Sequence, residues 1–243
     1  MSRPGVRLGR ARLEFDPPLA PGRLIRRYKR FLADVELENG QKVTAHCPNS
    51  GSMLGCLEDD APVYLSRAAN PARRTSHTWE MIFINNGWVG VNTMAPNFLA
   101  ARAAEEQALR VFAGAREVRR EVKVGPHTRL DLVVERAKGP LYVEVKNVTM
   151  VEQGVARFPD SVTTRGAKHL ETLMELVGQG AQAAMLYVVQ RGDARSMGPA
   201  TAIDPTYARL FHQAREAGVA LVAVQAAVSP QRIRLTRRLP LAE

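Results

Sequence analysis

The chain has 243 residues, of which 45% are apolar, so it can bury a sizeable core and is not a disordered protein. It carries 34 Lys and Arg against 24 Asp and Glu, and the resulting net charge of +10 favours a polyanionic partner such as nucleic acid. No apolar run is long enough to span a bilayer, and the first residues lack the apolar core of a signal peptide. We therefore expect a cytoplasmic protein without a membrane partner.

The chain contains two cysteines, Cys47 and Cys56. Their spacing lacks the short pairs of a zinc site and the density of a disulfide scaffold, which agrees with a reducing cytoplasm. Adjacent residues in a strand point to opposite faces, so His46 cannot serve as a base for Cys47. A thiol enzyme is disfavoured, and a metal site at His46 and the two cysteines is the minor alternative.

The first half of the chain is typical of a small β-barrel. Residues 23–91 consist of short strand-like segments separated by turns, with a hairpin predicted at Asn86-Gly87. After Pro96 the pattern changes, and residues 97–112 favour a helix with Asn97 as its cap. This change predicts a domain boundary near residues 92–97.

The second half is typical of a mixed α/β domain. Three strand-like segments come first and predict an antiparallel meander: 116–124, 129–134 and 141–148. Helices and apolar strands then alternate, as they do in βαβ units: a helix near 162–177, a strand at 183–190, a helix at 205–218 and a strand at 219–225.

Three charged residues interrupt the apolar strands of this domain. Alternation places Glu144 and Lys146 on one face, and hairpin pairing would bring Asp131 beside Glu144. Two neighbouring carboxylates call for a cation, and Mg²⁺ suits oxygen ligands, retained waters and substrate phosphates. The residues Asp131, Glu144 and Lys146 are therefore the predicted catalytic set, and a cross-strand salt bridge on an open sheet is the alternative.

Longer stretches of the chain resemble a known family. A helix, a strand bearing Asp131, a strand bearing Glu144-x-Lys146 and a second helix resemble the core of the PD-(D/E)XK nuclease superfamily. In detail, the amino-acid sequence is similar to that of the bacterial sugar fermentation stimulation protein A (SfsA) family. The matching stretches are HCPNSGSM at 46–53, VGVNT at 89–93, PN at 96–97, TRLDL at 128–132, YVEVKNVT at 142–149 and RFPDSVTTRGAKHL at 157–170.

This resemblance implies an α/β (α+β overall) protein with two domains. An OB-like barrel would span residues 1–92, and a nuclease-like α/β domain that binds DNA, with Mg²⁺ or Mn²⁺ as cofactor, would span 93–243. The superfamily includes members that only bind, so a non-catalytic DNA-binding regulator of sugar metabolism is the alternative to a nuclease. The oligomeric state stays open between a monomer and a homodimer.

The family pattern also implies an acid soon after Pro96-Asn97, where this chain has Ala100-Ala101. Glu105 follows a turn later, on a helical stripe that includes Phe98 and Leu109. An inward-facing Glu105 is therefore the predicted third carboxylate of the metal site.

Three further segments are predicted to bind nucleic acid. Backbone N–H groups of a Gly-Ser turn can hold a phosphate, and a helix beginning at Asp160 or Ser161 would carry cations beside the metal site. The predicted residues are Arg26, Arg27 and Lys29 in the basic N-terminal region, Asn49 and Ser50 in the turn, and Arg165 and Lys168 on the helix. A merely solvated basic face is the alternative for the helix.

Overall fold

The computed structural model describes residues 8–125 and 128–242, which form three α-helices and sixteen β-strands. The first part of the chain contains β1 (Arg12–Glu14), β2 (Ala20–Tyr28), β3 (Leu32–Leu37), β4 (Lys42–His46), β5 (Pro62–Arg67), β6 (His77–Ile84), β7 (Gly87–Gly90) and α1 (Met94–Glu105). The second part contains β8 (Ala115–Val124), β9 (Thr128–Arg136), β10 (Leu141–Val148), β11 (Met150–Glu152), β12 (Val155–Phe158), α2 (Thr164–Gly178), β13 (Gln182–Val189), β14 (Ser196–Pro199), α3 (Pro205–Glu216), β15 (Ala220–Val228) and β16 (Arg232–Leu239).

Strands β2 to β6 close into the predicted barrel. Their order is β4-β3-β2-β5-β6, and parallel pairing of β4 with β6 completes the ring. Trp79, Val35 and Leu65 are among the fully buried side chains of its core. The hairpin between β6 and β7 is confirmed, but its turn residues are Asn85 and Asn86, both at positive φ. Asparagine tolerates this left-handed conformation better than most residues do.

The first strand corrects the predicted domain limits. β1 pairs with β16 in the large C-terminal sheet rather than with the barrel. Leu8 and Ala11, just before it, are buried in the same core as α1. Residues 8–14 therefore belong to the second domain, although they precede the barrel in the chain.

Seven strands form the sheet of that second domain, in the order β1-β16-β15-β13-β10-β9-β8. The central strands β10, β13 and β15 are parallel, and the remaining pairs are antiparallel. α1 packs on one face against Val143 and Leu186, while α2 and α3 pack on the other against Met185 and Tyr187. The predicted mixed α/β architecture is confirmed.

The helix termini differ from the sequence prediction. α1 begins at Met94, so Asn97 lies within its first turn and its side chain caps nothing there. α1 also ends at Glu105, short of residue 112. At α2 the cap is Thr163, whose hydroxyl accepts from Gly166 N, rather than Asp160 or Ser161.

The two domains meet through buried polar contacts. Gln190 donates through its side-chain Nε2 to the backbone carbonyl of Gly90 at 3.1 Å. The backbone carbonyl of Gln190 accepts from Gly90 N at 2.9 Å. The Cys56 thiol lies 3.4 Å from the carbonyl of Thr149, across the same joint. Both cysteines are free and buried in the barrel core, and burial raises the pKa values of their thiols.

Candidate active site

A cleft of about 510 Å³ lies between the barrel and the second domain. One wall comes from the barrel, through Arg30 and the loop at 49–51. The other walls come from β9, β10, the segment at 157–163 and the start of α2. All three predicted catalytic residues, Asp131, Glu144 and Lys146, line this cleft.

Asp131 stands where two strands separate. The ladder between β9 and β10 ends at the pair Leu132 and Val143, so the amide of Val145 has no strand partner in β9. Asp131 Oδ2 accepts from that amide at 2.7 Å, and Oδ1 accepts from Asn97 Nδ2 at 2.8 Å. The diverging strands thus create a polar notch, which α1 closes from one side.

Glu144 lies at the bottom of the cleft and is 3% exposed. Its Oε1 accepts from Lys146 Nζ at 2.7 Å and also contacts Nδ1 of the buried His169. Lys146 Nζ in turn lies 2.9 Å from the same Nδ1. In contrast, Glu144 Oε2 is buried without a hydrogen-bond partner among the described residues. A buried carboxylate oxygen without a partner is costly, so this atom is a natural site for a cation.

The two carboxyl groups differ in proton affinity. Burial raises the pKa of Asp131 to about 6, and the charge of Glu144 adds to the increase. Burial also acts to raise the pKa of Glu144, but the hydrogen bond from His169 and the charge of Lys146 outweigh it and leave the pKa below its usual value. Glu144 is therefore the permanent anion, and Asp131 takes up a proton in mildly acidic solution.

Basic side chains surround these acids. The arginines that line the cleft are Arg30, Arg129, Arg157 and Arg165. They come from the barrel, β9, β12 and α2, so four separate elements direct positive charge towards one space. Such an arrangement attracts a phosphodiester backbone without reading bases.

The barrel loop is held in place by Arg27 and Asp160. Arg27 donates to the carbonyls of Asn49 and Gly51, each at 2.9 Å. Asp160 accepts from Met53 N at 2.8 Å, and a Cβ at position 51 would lie 2.7 Å from both of its carboxylate oxygens. Gly51 is thus required for the close approach of the two domains beside the cleft.

The structure does not bring Glu105 to the cleft. This residue ends α1, is exposed and pairs with Arg102 at 3.1 Å. The prediction that Glu105 faces the core is wrong. α1 ends at Glu105, and the side chain is exposed at the surface. Ala100 and Ala101 are buried, and α1 instead presents Asn97 to Asp131.

The predicted nucleic-acid residues divide into two groups. Asn49, Ser50 and Arg165 line the cleft, whereas Arg26, Arg27, Lys29 and Lys168 do not. Arg26 pairs with Asp34 at 3.0 Å and lies over the ring of Tyr28. Lys29 is exposed in the turn between β2 and β3, and Lys168 is exposed on α2, both outside the cleft.

Sequence reasoning missed His169 and Asn97 as site residues. The i, i+4 spacing of Arg165 and His169 did place both on one helical face, and Asn97 belongs to a matching motif. No pattern in the sequence shows that His169 contacts Glu144 or that Asn97 contacts Asp131. Among the side chains described, no group of three or more His, Cys, Asp and Glu is gathered as a metal ion would need.

These observations define a class: a two-domain protein in which an OB barrel and a mixed α/β domain enclose an acidic site ringed by arginines. Two family models match the chain, the "SfsA N-terminal OB domain" at residues 25–91 and the "Sugar fermentation stimulation protein RE domain" at 94–232. The chain belongs to the sugar fermentation stimulation protein (SfsA) family, which confirms the resemblance.

Similar proteins agree with this assignment. The sugar fermentation stimulation protein homologue of Geobacter sulfurreducens is 51% identical over 92% of this chain and 96% of its own length. That of Geotalea daltonii is 51% identical over 93% and 97%. The fold matches a solved structure of Pyrococcus furiosus SfsA in complex with Ca²⁺, with a TM-score of 0.88, 24% identity, and coverage of 95% of this chain and 98% of that one. Within the described part of the chain, no helix combines the length and apolarity needed to cross a membrane.

Proposed function

We propose that this protein binds DNA in the interdomain cleft and hydrolyses phosphodiester bonds there with Mg²⁺ or Mn²⁺. The observation that carries the proposal is the buried, unpartnered Oε2 of Glu144, on the strand next to Asp131. Two carboxylates suit a hard cation that completes its shell with waters and substrate phosphate. Ca²⁺ in the structure of the Pyrococcus furiosus relative supports a divalent cation here.

Asp131 and Glu144 would hold the cation, which when bound supplies Lewis-acid polarisation and charge neutralisation at the phosphate. Asn97 and the Val145 amide fix the Asp131 carboxylate from two sides. This double restraint orients the carboxylate before any ligand arrives, so little is lost in ordering it.

Lys146 has the geometry of a group that stabilises negative charge. Its ammonium carries three protons, of which one bonds Glu144 Oε1. The others are free to donate to a phosphate oxygen in the cleft. His169 is buried and donates through Nδ1 to the same Glu144 oxygen, so it fixes the carboxylate that holds the ammonium, while the arginines bind neighbouring phosphates.

A non-catalytic DNA-binding regulator is the second candidate. The observation that favours this candidate is the small number of acidic side chains in the cleft. Within the described residues, α1 contributes no carboxylate to it. A protein of this kind would keep the cation and the arginines for binding and would leave the DNA intact.

The test compares wild type with Asp131→Ala and Lys146→Ala on plasmid DNA with Mn²⁺. We expect wild type to nick the plasmid and both variants to lose at least about 100-fold in rate, the usual size of one such group's effect. Mn²⁺ should raise the melting temperature of wild type and Lys146→Ala but not of Asp131→Ala. Lys138→Ala, an exposed lysine in the loop after β9, is the matched control and should behave as wild type.

The outcomes separate the candidates. Equal cleavage by every variant indicates a contaminating nuclease and contradicts the proposal. A metal-dependent shift in wild type without cleavage selects the binding-only regulator. No metal-dependent shift in any protein leaves Lys146 and Glu144 as a structural salt bridge.

A further inference from the structure

Strands β8 and β9 extend beyond the rest of the sheet as a two-stranded ribbon, comprising residues 120–124 and 128–131. Pairing of β9 with β10 runs only from Val134 to Leu132, whereas pairing of β9 with β8 continues to Thr128. Since β8 is the edge strand, no third strand among the described residues pairs with this ribbon on either side. Each described residue of β8 from 120 to 124 is exposed or half-buried.

The ribbon carries an excess of cations and is rooted in the cleft. Arg120, Lys123 and Arg129 are exposed, and Glu121 is its exposed acid. Arg129 and Glu121 line the cleft, and Lys123 stands directly opposite Arg129. Residues directly opposite in an antiparallel pair share a face, so Lys123 continues the basic wall of the cleft outwards.

Charges on an edge strand often serve only to prevent aggregation. That purpose does not require two strands to extend past their sheet beside a cleft. One face of the ribbon is packed, since Leu130 is fully buried and Val124 lies against the same core. Among the described residues, neither Arg120 nor Lys123 forms a salt bridge, in contrast to Arg119, which pairs with Glu135. Arg129 lies 3.9 Å from Glu121, so the free positive charge of the ribbon is at Arg120 and Lys123.

We propose that the ribbon is an arm that binds the duplex flanking the scissile phosphodiester, so this inference rests on the proposed function. From Glu121 to residue 125 it spans roughly 13 Å, at about 3.3 Å per residue. This length corresponds to about four base pairs, and the major groove is wide enough to admit a two-stranded ribbon. Because its cations would meet phosphates, binding along the arm is independent of sequence.

The test measures DNA affinity against salt for the full chain, by fluorescence anisotropy with a labelled 20-base-pair duplex in Ca²⁺. The variant is Arg120→Glu with Lys123→Glu, neither of which lines the cleft. We expect the slope of log affinity against log salt to become shallower by about 2, since each lost phosphate contact removes about 0.9. The control, Arg209→Glu with Arg215→Glu, makes the same charge change on exposed residues of α3 and should leave the slope nearer wild type.

Each outcome of this experiment either supports or overturns the proposed arm. The charge-conserving pair Arg120→Lys with Lys123→Arg should keep the wild-type slope, and matching melting temperatures would show that all variants fold. An unchanged slope in the Glu variant, or an equal change in the α3 control, overturns the arm while leaving the proposed function intact. A shallower slope in a protein that never cleaves supports the arm and removes the nuclease. Absence of duplex binding by wild type overturns both.

Discussion

Asp131 and Glu144 face the same cleft from adjacent strands, but their pKa values shift in opposite directions. Glu144 contacts Lys146 and His169, whereas the two hydrogen bonds to Asp131 come from neutral donors. A neutral donor offsets less of the cost of burying a charge than a cation does. Asp131 is thus the acid that most needs a bound cation at neutral pH.

Between pH 4 and 7.5, Asp131→Asn should gain about 2 kcal/mol of stability relative to the metal-free wild type, because it removes the cost of an ionised buried carboxyl. The NH₂ group of the variant faces one of two N–H donors, Asn97 or Val145, so the variant also carries a loss that does not depend on pH. The native pKa of about 6 lies above the ordinary value of 3.8, so the folded state binds the proton more tightly. Wild-type stability therefore falls as pH rises from about 4 to 6, and the advantage of the variant appears over that window. Urea unfolding of both proteins at pH 4 and 7.5 measures the difference between their free energies of unfolding.

The complementary control for this residue is a divalent cation. Saturating Mg²⁺ should stabilise wild type at pH 7.5 and leave Asp131→Asn unchanged, so that wild type gains stability relative to the variant. A difference in stability between the two proteins that stays constant from pH 4 to 7.5 without metal would contradict the raised pKa of Asp131.

At the level of elements, α2 and α3 share one buried carboxylate. Asp204 Oδ1 accepts from Tyr207 N, which caps α3, and Oδ2 accepts from Thr163 N at the start of α2, both at 2.9 Å. Asp204 is 3% exposed, so its loss would leave buried amides without partners. The helix that carries His169 and Arg165 is thereby fixed to its neighbour.

Asp204→Ala should cost about 2–3 kcal/mol of stability, which combines a lost helix cap with an unsatisfied buried amide. Thr163→Ala removes only the side-chain cap of α2 and should cost about 1 kcal/mol. Urea unfolding of the two variants compares them. An Asp204→Ala protein no less stable than Thr163→Ala would contradict the shared-carboxylate interpretation.

On the scale of the whole molecule, the chain crosses between its domains more than once. It begins in the large sheet with β1, forms the barrel, and returns to the same sheet through α1. β1 pairs with Arg232–Arg234, the first three residues of β16, which would otherwise lie at an exposed edge of the sheet. Residues 8–14 thus pack with the second domain and not with the barrel.

Deletion of residues 1–15 should lower the melting temperature of the second domain and increase amide exchange in β16. The deletion removes the pairing of β1 with β16 and the buried side chains of Leu8 and Ala11. Hydrogen exchange read by mass spectrometry resolves the effect, and deletion of residues 1–7 is the control. Faster exchange confined to the barrel would contradict this interpretation.

Local patterns in the sequence predicted much of the fold. Alternation along β9 and β10 identified the face of Asp131, Glu144 and Lys146, because side-chain direction in a strand repeats every two residues. The helical period located α2 and α3 within two residues at each end. The ends of α1 were predicted less accurately than its presence. A polar side chain near a helix terminus, such as Asn97, can form a hydrogen bond either to the helix backbone or to a distant partner.

The sequence alone predicts the family, the barrel followed by an α/β domain, and the two acids and the lysine that line the cleft. The three-dimensional fold places Glu105 outside the cleft, His169 and Asn97 within it, and β1 in the second domain. These are contacts between residues 23 to more than 200 positions apart. Strand pairing and helix packing fix such contacts, and neither leaves a local period in the sequence, because each depends on which surfaces remain to be buried once the local elements have formed.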